Sequence, residues 1–326
     1  MPESEVPSPA TTVGGQAVLE GVMMRAPSGW AVACRRPDDS IVARSYPLPK
    51  LSSRSRWATV PVVRGILVLG ESLTLGYRAL AWSAQQATEE GEEELSKMQI
   101  AGSMAIAFVL FAGLFILLPA GAADWVARDS DLVFVTLEAA LRLALFIGYL
   151  WLIGRSKEIR RVFQYHGAEH MTIYAYEAEE ALSRETIRKY PPEHPRCGTN
   201  FLMIVILLTI VIFTLVGRPS WPWLVGSRIV GIPLIAGLSY ELLKFAGARQ
   251  GERIGRFLAA PGMWLQKLTT GVPEPDMIDV AVVSLLSALD DDEAGTVYER
   301  GGIPGVLWGT RAVMESGELS DGSTDH

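Results

Sequence analysis

Apolar and polar positions are segregated along the chain rather than mixed. Four stretches, 100–123, 132–153, 201–216 and 223–246, are almost wholly apolar, and each is bounded by charged sequence. The hydrocarbon core of a bilayer is about 30 Å thick and a helix rises 1.5 Å per residue, so roughly 20 apolar residues cross it. The four stretches therefore predict four transmembrane helices, the third short enough to need interfacial anchoring or little tilt. A fifth apolar run, 57–84, opens near Pro61 and carries Arg64, Glu71 and Arg78 at seven-residue spacing. Three charges on one face are costly inside a span. This run predicts an amphipathic helix lying in the inner interface or tucked against the bundle, in preference to a re-entrant hairpin.

The remaining sequence is polar. Two β-prone runs, 30–36 and 40–47, flank Pro37-Asp38-Asp39, a hairpin signal. The glycine-rich run from Val13 to Arg25 lacks the lysine and spacing of a phosphate-binding loop, and reads as a packed turn against the membrane bundle. After the fourth span come a basic segment, 247–256, and a short surface helix starting at Pro261. A stretch of helical periodicity, 276–289, should pack on another cytoplasmic element.

The fold class is thus mainly α: a polytopic α-helical membrane protein with about four transmembrane helices, an extra interfacial helix and a small N-terminal β-hairpin region on the cytoplasmic side. Its segments are a flexible N-terminus (1–12), a Gly-rich and hairpin region (13–56) and an interfacial helix with acidic linker (57–98). A membrane domain (99–247) contains a cytoplasmic loop (155–199), followed by C-terminal helices (248–290) and a flexible extension (291–326) ending in a loose tail, 316–326.

Charge orients this arrangement. Arg25, Arg35, Arg36 and Arg44 precede the first span, Arg155, Lys157, Arg160 and Arg161 follow the second, and Arg249, Arg253 and Arg256 follow the fourth. The other two loops are poor in cations, and one carries Trp221 and Trp223 for an aromatic belt. The positive-inside rule then puts both termini in the cytoplasm. A net charge of −7 with no basic face argues against nucleic acid as a partner. Two distant cysteines, Cys34 and Cys197, fit a reducing compartment. Residues 1–12 have the pattern of neither a signal peptide nor a transit peptide.

Candidate chemistry lies in the loop 155–199. Of four histidines, His326 is the last residue and the other three fall between positions 166 and 194. His166-Gly167-Ala168-Glu169-His170 has the His-x-x-Glu-His order. On a helix its imidazoles stand one turn apart, about 6 Å at most, where both can hold one divalent ion of the zinc class. Glu169 beside them is the candidate catalytic base toward a water. Glu177, seven residues after His170, is a further ligand or an orienting partner. His194 and Cys197 have the two-residue spacing of a metal knuckle, so His166, His170, His194 and Cys197 can form a closed structural site, whereas three protein ligands would make a catalytic one. Glu241 in the fourth span is a candidate remaining carboxylate ligand; a helical pair with Lys244 is the plainer reading. Glu138 and Arg142 predict an ion pair within the second span.

These motifs carry a resemblance. Gly14-Gly15-Gln16-Ala17-Val18 with Glu20-Gly21-Val22-Met23-Met24-Arg25, His166-Gly167-Ala168-Glu169-His170, and His194-Pro195-Arg196-Cys197-Gly198-Thr199 resemble the YqhQ-like family of bacterial membrane proteins, domain of unknown function 1385, over roughly 13–290. The resemblance implies a four-span protein of the bacterial inner membrane and a predicted metal-dependent enzyme. Three functions compete: a metal-dependent membrane enzyme, with hydrolysis as the leading reaction, acting on a membrane-associated substrate at the cytoplasmic face; a non-catalytic scaffold with a structural metal or packed histidines; and a small-solute transporter, which the lack of evident internal repeats disfavours.

Overall fold

A computed structural model describes residues 13–48, 59–87, 97–127, 129–217, 220–249, 252–301 and 313–316. The N-terminal segment 1–12, the acidic linker 88–96 and the tail 317–326 lie outside the described residues. The fold is mainly helical, with an N-terminal sheet and four helices of membrane-crossing length and apolarity.

The glycine-rich run is not a turn against the bundle. It forms two strands, β1 (Gly14–Val18) and β2 (Gly21–Arg25), which precede the expected hairpin of β3 (Gly29–Arg35) and β4 (Ile41–Pro47). The four make an antiparallel meander, and β5 (Val313–Ser316) adds to β4 in parallel, Val42 opposite Val313. The β3–β4 turn is closed by Asp38, whose carboxylate accepts the Ser40 N–H at 3.0 Å. Side chains alternate across the pleat as strand geometry requires. Val22, Met24, Ala31, Ala33, Ile41 and Ala43 enter one core, and Met23, Trp30, Val32, Cys34 and Val42 enter another. Both faces of β2 and β3 are covered, so these strands show no polar alternation, while β1, exposed at Gly14 and Gly15, has too few side chains to show one.

The helices are α1 (Val63–Ala87), α2 (Lys97–Ala112), a π-helical turn (Gly113–Leu117), α3 (Leu118–Val126), α4 (Asp131–Ile153) and α5 (Lys157–Glu177). They continue with α6 (Arg184–Ile187), α7 (Gly198–Val216), α8 (Trp221–Gly247), α9 (Arg253–Thr269), α10 (Pro275–Ala288) and α11 (Asp291–Arg300). The four candidate spans are Ala105–Val126, α4, α7 and Val230–Gly247 within α8. Their outward faces expose Val109, Leu110, Leu132, Leu215 and Val230, far more contiguous apolar surface than a water-facing monomer carries.

The helix α1 joins the two halves of the molecule. Near its start Gly65 lies against α8, where a Cβ would come 2.8 Å from the Gly237 carbonyl oxygen. Near its end Leu75, Ala79 and Trp82 cover the second face of the sheet. Between them buried Glu71 accepts a hydrogen bond from Arg25 of β2 at 3.0 Å. The expected amphipathic helix against the bundle is therefore present, and two of its charged residues tie it down, Glu71 to the sheet and Arg64 to Glu241 of α8.

On the first face α10 is wedged between sheet and α5, with Met277, Ile278, Val280, Ala281, Val282 and Leu285 fully buried. Its one buried carboxylate, Asp279, accepts from Arg184 of α6 at 2.8 Å. Two further expectations change. The surface helix foreseen from Pro261 begins at Arg253 and continues through that proline. Within 291–326, foreseen as a flexible extension, 291–300 is helical and 313–316 is paired; Asp290 caps α11 by accepting the Glu293 N–H at 2.9 Å.

Inside α4, Arg142 donates to Glu138 at 2.6 Å and to the Phe115 carbonyl at 3.2 Å, at the π-helical turn. Both side chains are buried. Removing one partner strands the other charge away from water, which costs about 3–5 kcal/mol. Arg142→Leu is expected to lower the melting temperature of the purified protein by several degrees, and Glu138→Gln with Arg142→Leu to recover most of that loss. A double variant no better than the single one would contradict this account.

Candidate metal centre

The centre is built on α5, which follows α4 after a short turn. Ser156 caps α5, its hydroxyl facing the Ile159 N–H at 3.5 Å, and Glu158 sits in the first turn, where the helix dipole favours an acid. Helical spacing then stacks His166 and His170, with ring centroids 4.4 Å apart.

Each ring is aimed by a backbone carbonyl. His166 Nδ1 lies 2.8 Å from the Thr269 oxygen, and His170 Nδ1 lies 2.6 Å from the Pro192 oxygen. A carbonyl only accepts, so both Nδ1 atoms carry the proton and both Nε2 lone pairs are free in the neutral rings. Those Nε2 atoms converge on Cys197. His166 Nε2 is 3.1 Å from Sγ, and the ligand atoms of His166, His170 and Cys197 all lie within 4.8 Å of one another. His170 Nε2 is buried without a hydrogen-bond partner.

Cys197 is the N-cap of α7. Burial pushes its thiol up, but His170 and the N–H and hydroxyl of Thr199, at 3.4 and 3.2 Å from Sγ, outweigh burial and hold it below the ordinary range. The His170 ring is driven down, chiefly by burial. This is a donor set a cation can use: two imidazoles whose Nδ1 atoms are fixed by carbonyls, and a thiol held below its ordinary range.

Glu169 projects beside the imidazoles under β1. It is 3 % exposed, and its Oε2 has no partner. Burial pushes its carboxyl up to about 8, while His166 pulls it down, Cys197 pushes it up and the Gly15 N–H lowers it. Gly15 is needed for this approach, since a Cβ would stand 3.1 Å from the Glu169 carboxyl carbon and 2.4 Å from the Met23 carbonyl oxygen.

The other expected ligands are placed elsewhere. His194 sits 5.6 Å from His170 between ring centroids, but both its nitrogens are engaged: Nδ1 faces the Arg196 N–H at 3.3 Å and Nε2 faces Glu177 at 3.8 Å. Burial pushes this imidazole down to about 4. Glu177 is paired with Arg196. Glu241 accepts from Arg64 at 2.7 Å and from the Val62 N–H at 3.3 Å, and so anchors α1 to α8 rather than joining the histidines. These contacts do not form the expected four-donor closure, and the charge of Lys244, one turn on, acts on Glu241 alongside Arg64.

Sequence reading missed Gln266. Fully buried on α9, it accepts the His194 N–H at 2.7 Å and donates to the His194 carbonyl at 3.0 Å and to Asn200 Oδ1 at 3.1 Å. This clamp holds the segment carrying the Pro192 carbonyl and Cys197. Gly262, one turn earlier, allows the contact, because a Cβ there would lie 1.9 Å from Asn200 Oδ1. A glutamine among the apolar positions of an amphipathic helix is the signal that could have found it.

Residues 60–291 match the family described as "Protein of unknown function (DUF1385)". The chain belongs to this family. It is also 32% identical over 291 residues to "Uncharacterized protein YqhQ" of Bacillus subtilis (strain 168), covering 83% of this chain and 90% of that one. No solved structure matches. The family resemblance drawn from three separate motifs thus holds, and in space those motifs meet: β1 lies over Glu169, and the segment 194–199 brings Cys197 to the histidines of α5.

Proposed function

We propose that the chain holds one divalent ion of the zinc class on His166, His170 and Cys197, and works as a metal-dependent enzyme, hydrolytic in type, on a membrane-associated substrate. The observation that carries this reading is the pair of Nδ1 bonds to Thr269 and Pro192, which turn both Nε2 atoms toward one sulfur and leave buried His170 Nε2 facing that sulfur without a well-formed hydrogen bond. An orphaned buried nitrogen costs about 1–3 kcal/mol, which a ligand would return. Three protein donors is the count of catalytic rather than structural zinc sites.

An ion there supplies Lewis acidity toward a water or an ester or amide oxygen. The chain's own residues do the rest. Glu169 takes and returns a proton, and its carboxyl, raised by burial, suits that task near neutral pH. Thr269 and Pro192 fix the rings. The β1 backbone over Glu169 and the wall of Tyr165 and Ala168, both fully buried, exclude water from the far side of α5. The four long apolar helices support residence in a bacterial inner membrane, and the loop charges support a cytoplasmic site with both termini on that side.

Elemental analysis of protein purified without chelator tests the reading. About one zinc-class ion per chain is expected, with Glu169→Gln retaining it. Metal-free protein that takes up no ion on titration would overturn it.

A further inference from the structure

Two cavities flank the segment that carries the Pro192 carbonyl and Cys197, and they share Pro195 and Ala259 in their walls. The smaller, about 190 Å³, is walled by Ile204, Leu243, Ala246 and Leu258, with Asn200 and the Glu177-paired Arg196 at its side. These residues come from the first turns of α7, the last turns of α8 and the buried side of α9. It is an apolar space at the same end of two bilayer-length helices. The larger, about 570 Å³, opens outward between Tyr174, Glu193, Arg256, Trp264 and Lys267. Among the described residues the Glu193, Arg256 and Lys267 side chains have no hydrogen bond or ion pair, unlike neighbouring Arg196, which Glu177 neutralises.

We propose that these adjoining cavities together bind one phospholipid bearing a primary amine, with an acyl chain in the apolar part and a phosphoethanolamine-type headgroup in the open part. Three observations favour this occupant. First, the apolar part lies where bilayer-length helices end, and α9 alongside it exposes Ile254, Phe257 and Trp264 among Arg253, Arg256 and Lys267, the composition of a helix lying in a lipid interface. Second, the open part carries both signs of charge. Arg256 and Lys267 suit a phosphate, and Glu193 suits a cation. An anionic headgroup without an amine would leave Glu193 facing like charge. Third, Tyr174 and Trp264 offer aromatic walls to an ammonium, and a primary ammonium has N–H groups for Glu193 that a quaternary one lacks.

This site does not depend on the metal reading, although it borders that centre. Tyr174 meets the His194 ring edge-on, with centroids 4.4 Å apart, and His194 meets His170.

The experiment is native mass spectrometry of the full chain in detergent, offered phosphatidylethanolamine, phosphatidylcholine and phosphatidylglycerol of identical chains. One charge-assisted hydrogen bond is worth about tenfold in affinity, so retention of phosphatidylethanolamine should exceed the other two by about tenfold. Glu193→Gln should erase that preference. Arg256→Ser with Lys267→Ser should weaken all three lipids about tenfold. Ala259→Trp, at the junction of the cavities, should reduce retention without altering headgroup order, and its near-ultraviolet circular dichroism reports that the protein is folded. His170→Ala should keep the lipid preference, so that loss of metal and loss of lipid are told apart. Equal retention of the three headgroups, a preference for phosphatidylglycerol, or an unchanged preference in Glu193→Gln would each overturn the proposal.

Discussion

Replacing His170 by Ala is expected to abolish retention of the metal proposed at α5, and Cys197→Ser to do nearly the same. Zinc sites with a full set of protein ligands are worth about 10–16 kcal/mol at neutral pH, or roughly 3 kcal/mol per ligand, so one lost donor weakens binding about 100-fold. The effect on His170 should be the cleaner of the two, because its Nε2 has no other partner, whereas the Cys197 sulfur also receives the Thr199 N–H and hydroxyl. His194→Ala makes the contrasting case. Its nitrogens face Arg196 and Glu177, so metal affinity should stay near that of the parent chain even if stability falls. Gln266→Ala should fall between, weakening metal about tenfold, as loss of residues that orient ligands does. Competition with a chelator of known affinity measures the series. Parent-like retention in both His170→Ala and Cys197→Ser would remove the basis for a metal centre, and a large loss in His194→Ala would favour the closed structural site over the catalytic one.

Gly167→Ala is expected to damage fold and centre together. In a helix interior this change ordinarily gains about 1 kcal/mol of helix propensity. Here the added Cβ would stand 1.9 Å from the Gly271 carbonyl oxygen and 3.3 Å from Pro192 Cβ. Backbone cannot move aside as a flexible side chain can, and overpacking of this kind costs about 1–3 kcal/mol or more, which outweighs the propensity gain. The two segments pushed away carry Thr269 and Pro192, whose carbonyls aim the two imidazoles. Lower melting temperature and lower metal affinity should therefore appear in one variant. Gly70→Ala is the control. Gly70 lies exposed in α1 with nothing within 4 Å of a new Cβ, so the same substitution should leave melting unchanged or raise it slightly. A Gly167→Ala protein that melts like the parent would show that the α9–α10 link yields at little cost.

These two predictions also mark where sequence reasoning stops. The four apolar helices, the β3–β4 hairpin and the stacking of His166 on His170 are local patterns. Each depends on residues at most a few tens of positions apart, through helix rise, turn chemistry or one helical turn. The grouping of Cys197 with the histidines was open in the sequence only as a four-donor set with His194. Which of the two residues, three positions apart, faces the imidazoles depends on Gln266, 72 positions beyond His194. Glu241 read as a ligand because an acid in a span needs a partner. The partner is Arg64, 177 positions earlier, on a helix whose docking to α8 rests on close contact between Gly65 and Gly237. Strands β1 and β2 escaped notice for a different reason: β2 is buried on both sides and shows no alternation, and β1 opens on two glycines with no side chains to alternate.

By itself, then, the order of residues determined the apolar helices, the family and the helical pair of histidines, because hydrophobic length and one-turn spacing act over short distances. Only the tertiary structure decided that Cys197, and neither His194 nor Glu241, brings a ligand atom into the group formed with His166 and His170, and that glycine-rich strands roof Glu169. Those outcomes depend on carbonyls, amides and close glycine contacts from distant segments, whose meeting no local pattern specifies.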